Sequence, residues 1–210
     1  AVGHSALKVN TTGANNIAIG GSALDANTTA SNNVAVGTWA LTENSTGANN
    51  VAIGREALQA NSTGAESTAV GYQAGYSNTT GRITAVGRHA VRSNTTAVEN
   101  TGIGYRALRD NTTGAKNTAV GGDTLLLNTT GYNNSAAGYA SLYSNTTGYH
   151  NTALGYYSLL TNSTGLVNTA VGVAALQTNS SGSNNVAVGA DALISNTTAS
   201  SNTAVGYQAL

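Results

Sequence analysis

The sequence predicts an all-β fold, a parallel β-roll or β-solenoid wound in coils of 17 residues. Three observations carry that expectation. A small apolar triplet ending in glycine recurs thirteen times, with the glycines at 3, 20, 37, 54, 71, 87, 104, 121, 138, 155, 172, 189 and 206. Eleven of the twelve gaps are 17 residues and one, Gly71 to Gly87, is 16. The triplets carry β-branched residues in alternation, as in Thr118-Ala119-Val120, which favours a short strand. Seven residues after each glycine an Asn opens a polar run such as Asn78-Thr79-Thr80-Gly81, the composition of a turn. A period held so strictly over the whole chain marks units that stack on their neighbours.

Each element of the coil has its own signature. The strand is the triplet before the glycine, and its flanking residues (Ile17 and Ile19, Val34 and Val36, Val186 and Val188) are expected to point inward together. The residue between them is Ala, with Gly102 the one exception. A residue so small implies close approach of a second sheet or another chain. The glycine is the corner. Beyond it come a small residue and then Leu, as in Ala40-Leu41 and Ala192-Leu193, expected to be the second inward spot. Leu holds that place in eleven of thirteen units, with Gly75 and Val91 the departures. The Asn-Thr-Thr-Gly run then closes the coil, because Asn and Gly tolerate left-handed backbone. A helix is excluded by two glycines and a β-branched turn in every 17 residues. Stacked coils about 4.8 Å apart place Asn100, Asn117, Asn134, Asn151 and Asn168 above one another. Their amides are positioned to bond along the axis.

Composition narrows the function classes. Charged residues are 8% of the chain, eight basic and eight acidic, so no net charge steers it towards nucleic acid or an anionic membrane. The absence of Cys excludes a disulfide framework and a thiolate metal site. The absence of Pro fits a backbone whose N–H groups are nearly all needed for ladder bonds. No apolar run approaches the length of a membrane span. Both ends fall mid-unit and without a polar capping coil, so residues 1–210 read as one repeat array within a longer fibre. The core of a lone coil is thin, and burying its small-residue and Leu faces against sister chains makes a homotrimer the expected state.

The pattern Asn-Thr-Ala-Val-Gly-Tyr-Gln-Ala-Leu, from Asn202 to Leu210, has variants at Asn32 to Gly37 and Asn49 to Gly54. It resembles the repeats of trimeric autotransporter adhesin heads and the repeat regions of phage tail fibres and bacterial surface fibres. The resemblance covers the whole chain, and its motif speaks for architecture more than for ligand. It implies a left-handed parallel β-roll that trimerises, set in an extracellular fibre of a cell surface or virion. The implied role is structural and adhesive, a stiff spacer or head that presents a receptor-binding surface to a host glycan or protein. Adhesin-head repeats are typically shorter than these, a departure that bears on coil shape and handedness.

Candidate chemistry is sparse. His4, His89 and His150 hold three different repeat positions. Glu56, Asp123 and Asp191 share one position but lie four coils apart, roughly 19 Å at strand spacing, too far for paired carboxylates. No phosphate loop or metal spacing is present. Neither a catalytic residue, a metal nor a cofactor is expected, and the chain is not read as an enzyme. Asn-x-Ser/Thr sequons begin at Asn10, Asn27, Asn44, Asn61, Asn78, Asn94, Asn111, Asn128, Asn145, Asn162, Asn179 and Asn196. They are candidate glycosylation sites if the source is archaeal or eukaryotic, and otherwise turn residues. Recurring threonines (Thr28-Thr29, Thr79-Thr80, Thr112-Thr113) raise a weaker candidate, an ice-binding face.

Two departures from the repeat are the sharper candidates, since function tends to sit where local rules break. Five of six arginines fall in one stretch: Arg82, Arg88, Arg92, Arg106 and Arg109. The same stretch holds the one-residue deletion and follows the missing Leu at Gly75. It reads either as a basic patch for an anionic glycan or as a solvated face neutralised by Glu66, Glu99 and Asp110, the latter slightly favoured. Six tyrosines, Tyr132, Tyr139, Tyr143, Tyr149, Tyr156 and Tyr157, cluster further on. With Leu126, Leu160 and Ile194 they suggest an outward stripe that stacks on sugars or seals a chain-to-chain interface, the interface favoured.

Overall fold

A computed structural model describes residues 1–210. The chain is an all-β parallel solenoid without a helix. It divides into two compact units, Ala1–Ile103 and Gly104–Leu210. The first holds β1 (Ile17–Ile19), β2 (Val34–Val36), β3 (Val51–Ile53), β4 (Thr68–Val70), β5 (Ile83–Val86) and β6 (Asn100–Ile103). The second holds β7 (Thr118–Val120), β8 (Ser135–Ala137), β9 (Thr152–Leu154), β10 (Thr169–Val171), β11 (Val186–Val188) and β12 (Thr203–Val205). Within each unit consecutive strands pair in parallel, with identical repeat positions opposite one another: Ala35 faces Ala52, and Ala136 faces Ala153.

The pleat is opposite in phase to the expectation. Ala18, Ala35 and Ala52 are buried, while Ile17 and Ile19 are 51% and 45% exposed. The cause lies one residue upstream. The Asn four residues before the corner glycine is buried, as at Asn33, Asn50 and Asn134, and its amide is committed to the interior. Asn33 Nδ2 donates to Gly47 O at 2.9 Å, and Asn33 Oδ1 accepts the Asn50 N–H at 2.9 Å. With Asn inward, the two-residue period of a strand sends the next residue out, the Ala in and the last residue out. The β-branched residues therefore form the outer surface of the sheet, and most coils have one large apolar core side chain, the Leu after the corner, rather than three.

After the strand the chain abandons strand geometry. Gly37 turns the corner at φ +136°, and a Cβ there would lie 2.6 Å from the Gly54 carbonyl oxygen, so both backbone and space demand glycine. In most coils the second and fourth residues past the corner are left-handed without being glycine, for example Trp39 at φ 61° and Leu41 at φ 50°. This interrupts the strand alternation, and Ala40 and Leu41 are both fully buried. A left-handed Leu costs about 1–2 kcal/mol. Burial of its side chain contributes about 1.5–3 kcal/mol, and its N–H donates to Ala57 O of the next coil at 3.0 Å.

The asparagine ladder is doubled. The expected rank bonds partly amide to amide, with Asn134 Nδ2 donating to Asn117 Oδ1 at 3.2 Å. A second rank comes from the turn asparagines, which are interior. Asn27 Nδ2 donates to Asn10 Oδ1 at 2.7 Å, Asn128 Nδ2 to Asn111 Oδ1 at 2.7 Å and Asn145 Nδ2 to Asn128 Oδ1 at 2.7 Å. The same nitrogens also close their own turns, as Asn44 Nδ2 does on Gly47 O at 2.9 Å. Gly47 O thus receives two amides, from Asn33 and Asn44. This turn is pinned from both sides by groups that water does not reach.

The short coil is a packing substitution. The residue it lacks is the left-handed one that precedes the buried Asn or Ser in other coils, such as Glu66 at φ 60° before Ser67 or Glu99 at φ 62° before Asn100. Ile83 takes the Asn position and is buried. A Cβ added at Gly75 would lie 2.8 Å from Ile83 Cδ1 and 3.0 Å from Leu58 Cδ2. The Ile83 side chain fills the volume that the Leu missing at Gly75 would take.

Candidate functional site

With the pleat reversed, each unit presents two outward columns of side chains along its sheet. In the first unit they run Ile17, Val34, Val51, Thr68 and Ile19, Val36, Ile53, Val70. In the second they run Thr118, Ser135, Thr152, Thr169 and Val120, Ala137, Leu154, Val171. Ile17, Ile19, Ile53, Val120, Leu154 and Val188 are among the exposed large apolar residues. Parallel sheets are ordinarily covered on both faces, and a contiguous apolar face marks a contact surface. Stacked coils place equivalent positions above one another, so these columns run in register.

The arginines do not form one patch. Consecutive in sequence, they wind around the coil and occupy four repeat positions. Arg82 stands between Glu66 and Glu99, at 3.2 Å and 3.0 Å. Its guanidinium pKa is raised, first by the hydrogen bond to Glu66 and then by the charge of Glu99. Arg92 Nε donates to Gln73 Oε1 at 2.9 Å, and its guanidinium lies 5.3 Å from the Tyr76 ring. Arg88 lies over Tyr72 at 5.9 Å. In the second unit Arg106 makes a bidentate pair with Asp123 at 2.7 and 2.8 Å, and Arg109 pairs with Asp110 at 2.6 Å. Of the expected neutralising carboxylates, Glu66 and Glu99 bracket Arg82 and Asp110 holds Arg109. Arg55, outside that stretch, packs at 5.3 Å from Trp39 and 5.9 Å from Tyr72.

The tyrosines do meet, in two separate stacks. Tyr132 and Tyr149 are parallel within 9° at 4.7 Å, with the His150 ring edge-on to both. Tyr139 and Tyr156 stack at 5.8 Å, and Tyr157 lies 3.9 Å from Tyr156. The Tyr156 hydroxyl pKa is raised, chiefly by its hydrogen bond with Tyr157. Beside this second stack is an open hollow of about 370 Å³ lined by Tyr139, Ala140, Tyr143, Ser144, Tyr157, Leu160 and Thr161. Leu126, expected outward, is buried. The corresponding edge of the first unit also has a hollow, lined by Lys8, Val9, Asp25, Ala26, Thr42 and Glu43.

No protein-family model, curated protein or solved structure matches this chain. The resemblance to adhesin-head and fibre repeats therefore rests on the repeat motif and on the parallel coil that it forms.

The sequons change meaning in the folded chain. Asn27, Asn44, Asn61, Asn78, Asn94, Asn111, Asn128, Asn145, Asn162 and Asn179 are fully buried. The amide nitrogen that would carry a glycan already donates within the ladder, as at Asn61 and Asn162. Asn10 and Asn196 are half-buried ladder members. Burial answers the glycosylation expectation for the ten interior sites: folded coils do not present these side chains. The paired threonines divide their labour. The hydroxyls of Thr28, Thr79 and Thr112 donate to carbonyls of the next coil, and Thr29, Thr80 and Thr113 are exposed.

Two of the three carboxylates that share one repeat position are committed to neighbours: Glu56 to Arg55 at 2.9 Å and to Gln73, and Asp123 to Arg106. No group of three His, Asp or Glu side chains stands together in metal-binding geometry. No helix is long and apolar enough to cross a membrane. Sequence reasoning missed the outward β-branched face. The signal that finds it is the buried Asn before each strand.

Proposed function

We propose that the chain is a structural segment of an extracellular fibre, a stiff spacer or head. In this reading copies associate, as a homotrimer, through the outward faces of their sheets and hold a receptor-binding surface away from a cell or virion. The observation that carries it is the set of large apolar strand residues left exposed in each unit, Ile17, Ile19 and Ile53 in the first and Val120, Leu154 and Val188 in the second. The small core supports the same reading: a coil that buries Ala and a single Leu gains from covering its outer Val and Ile columns with another chain. The repeat resemblance supplies the fibre context.

The test is mass in solution together with a charge placed on the face. Light scattering is expected to give three times the 20.8 kDa chain mass. Val36→Lys and Val188→Lys, one in each unit, are expected to give folded monomers, because an ammonium buried without a partner opposes association. A wild-type chain that stays folded and monomeric at 20.8 kDa sinks the reading.

A further inference from the structure

We propose that the hollow beside Tyr139, Tyr143 and Tyr157 in the second unit is a binding site for neutral pyranose sugars. The site is local to that unit and lies on the segment after the corner glycine, a different part of the coil from the outward strand face. It goes beyond the fibre reading and does not depend on it.

Four observations converge. Two adjacent coils bring Tyr139, Tyr143 and Tyr157 to one hollow, whereas the coils around the first unit's hollow carry Lys8, Asp25 and Thr42 at the position of Tyr143. The rings are held in place before any ligand arrives. Tyr139 stacks on Tyr156 and leans over Gly122, where an added Cβ would come within 3.3 Å of the Tyr139 ring. Tyr157 lies against Tyr156, with ring centroids 3.9 Å apart. A rigid platform loses little entropy on binding. The volume, about 370 Å³, is at the small end of ligand pockets, which span about 300–1,000 Å³, and suits one or two sugar rings.

Lining chemistry selects the ligand class. Aromatic walls take the C–H faces of a pyranose, and the hydroxyls of Ser144, Thr161 and the tyrosines can exchange hydrogen bonds with its hydroxyls. The Thr161 hydroxyl proton is committed to the Gln177 carbonyl at 2.9 Å, so that oxygen presents lone pairs. No carboxylate or ammonium lines the hollow. The two guanidiniums whose charge reaches Tyr143 are each tied to a carboxylate, Arg106 to Asp123 and Arg109 to Asp110. A neutral sugar meets these conditions better than an anionic one.

Saturation-transfer NMR on the full chain tests the assignment, with millimolar cellobiose, maltose and lactose as neutral probes and galacturonate oligomers as the anionic one. At least one neutral probe is expected to receive saturation. Its affinity is expected to fall about ten-fold in Tyr143→Ala, the scale of one lost aromatic contact, and to change little in Tyr143→Phe or in Tyr72→Ala of the other unit. Circular dichroism checks that each variant is folded. Transfer to no neutral probe, preference for the anionic probe, or binding that survives both Tyr143→Ala and Tyr157→Ala overturns the proposal. A change of solution mass in Tyr143→Ala without sugar binding by wild type also overturns it, by assigning this edge to chain-to-chain contact. Sugar binding retained by Val188→Lys supports the site whatever becomes of the oligomer.

Discussion

Truncating one rung of the interior amide ladder is the most direct probe of what holds the coils together. In Asn145→Ala three hydrogen bonds disappear: Asn145 Nδ2 to Asn128 Oδ1 at 2.7 Å, Asn145 Nδ2 to Gly148 O at 2.9 Å, and Asn162 Nδ2 to Asn145 Oδ1 at 3.0 Å. Two of the groups left behind keep a partner. Gly148 O still receives Asn134 Nδ2 at 2.9 Å, and Asn162 Nδ2 still reaches Gly165 O at 3.1 Å. The third, Asn128 Oδ1, loses the amide that served it. All of these asparagines are fully buried, so water does not substitute. An unsatisfied buried polar group costs about 1–3 kcal/mol. One complete orphan and two partial ones put the loss at about 2–4 kcal/mol.

Thr147→Ala is the matched control. It destroys the same Asn-x-Thr sequon, but Thr147 is exposed, so its removal is expected to shift stability by no more than about 0.5 kcal/mol. Chemical denaturation followed by circular dichroism measures both variants. Amide hydrogen exchange at Thr146, whose N–H donates to Ser163 O at 2.9 Å, reports whether the damage is local, as expected of units that couple mainly to their neighbours. If Asn145→Ala matches wild type, the ladder is not a main support. If Thr147→Ala falls with it, the sequon rather than the amide carries the effect.

Two further perturbations follow from the structure. Gly75→Leu restores the repeat consensus yet is expected to destabilise, because Ile83 already fills that space, and Ile83→Ala is expected to cost about 2–5 kcal/mol by opening a cavity. Combined, they are expected to cost less than their sum by at least about 1 kcal/mol in a double-mutant cycle, and strict additivity would disprove the packing exchange. Tyr156 has its hydroxyl pKa raised by Tyr157, so the neutral phenol is favoured in the fold. That contribution is present below about pH 10, the ordinary tyrosine range, and is lost as pH rises through the higher folded value. An ultraviolet titration is expected to show one tyrosine ionising late, and Tyr157→Phe to return it towards the rest; an unchanged titration would count against the hydroxyl pair.

What the sequence made legible follows from stacking. Coils that lie on one another must be equal in length, so the period is written in the glycine spacing, and a glycine corner is needed because Gly37 meets the next coil's backbone directly. Pleat phase was not legible from hydrophobicity, because Val and Ile outrank Ala as core residues while the phase is set by a polar side chain. Asn33 and Asn50 are buried as hydrogen-bonding devices, and that role leaves no trace in a hydropathy pattern. The left-handed Leu41 was equally hidden, since nothing in a leucine announces a positive φ. The arginines' partners follow from neighbours in sequence travelling around the coil: Arg82 meets Glu66 and Glu99, 16 and 17 positions away, rather than Arg88. The ring contact between Tyr139 and Tyr156 was legible because they lie one repeat apart, the separation that stacking converts into contact.

The reversal of the pleat joins stability to function in one step. If Val and Ile faced inward, the coil would be apolar inside and its outer sheet surface would be Ala, small and featureless. With Asn and Ala inside, interior hydrogen bonds hold the repeat while its strongest hydrophobes stand outside in register. Each rung of the amide ladder must meet the next at hydrogen-bond distance, and across the shortened coil Asn94 Nδ2 still donates to Asn78 Oδ1 at 2.8 Å, while the other rank is interrupted by Ser67 and Ile83. The outer columns carry no such restriction and drift between Val, Ile, Thr, Ser and Leu without disturbing the stack. A scaffold specified from within thus leaves its outer face free to be shaped by what it touches. The division can be tested: exchanging Thr169 for Val on the outer column should alter self-association more than folding, whereas Asn168→Ala, one residue earlier, should do the opposite.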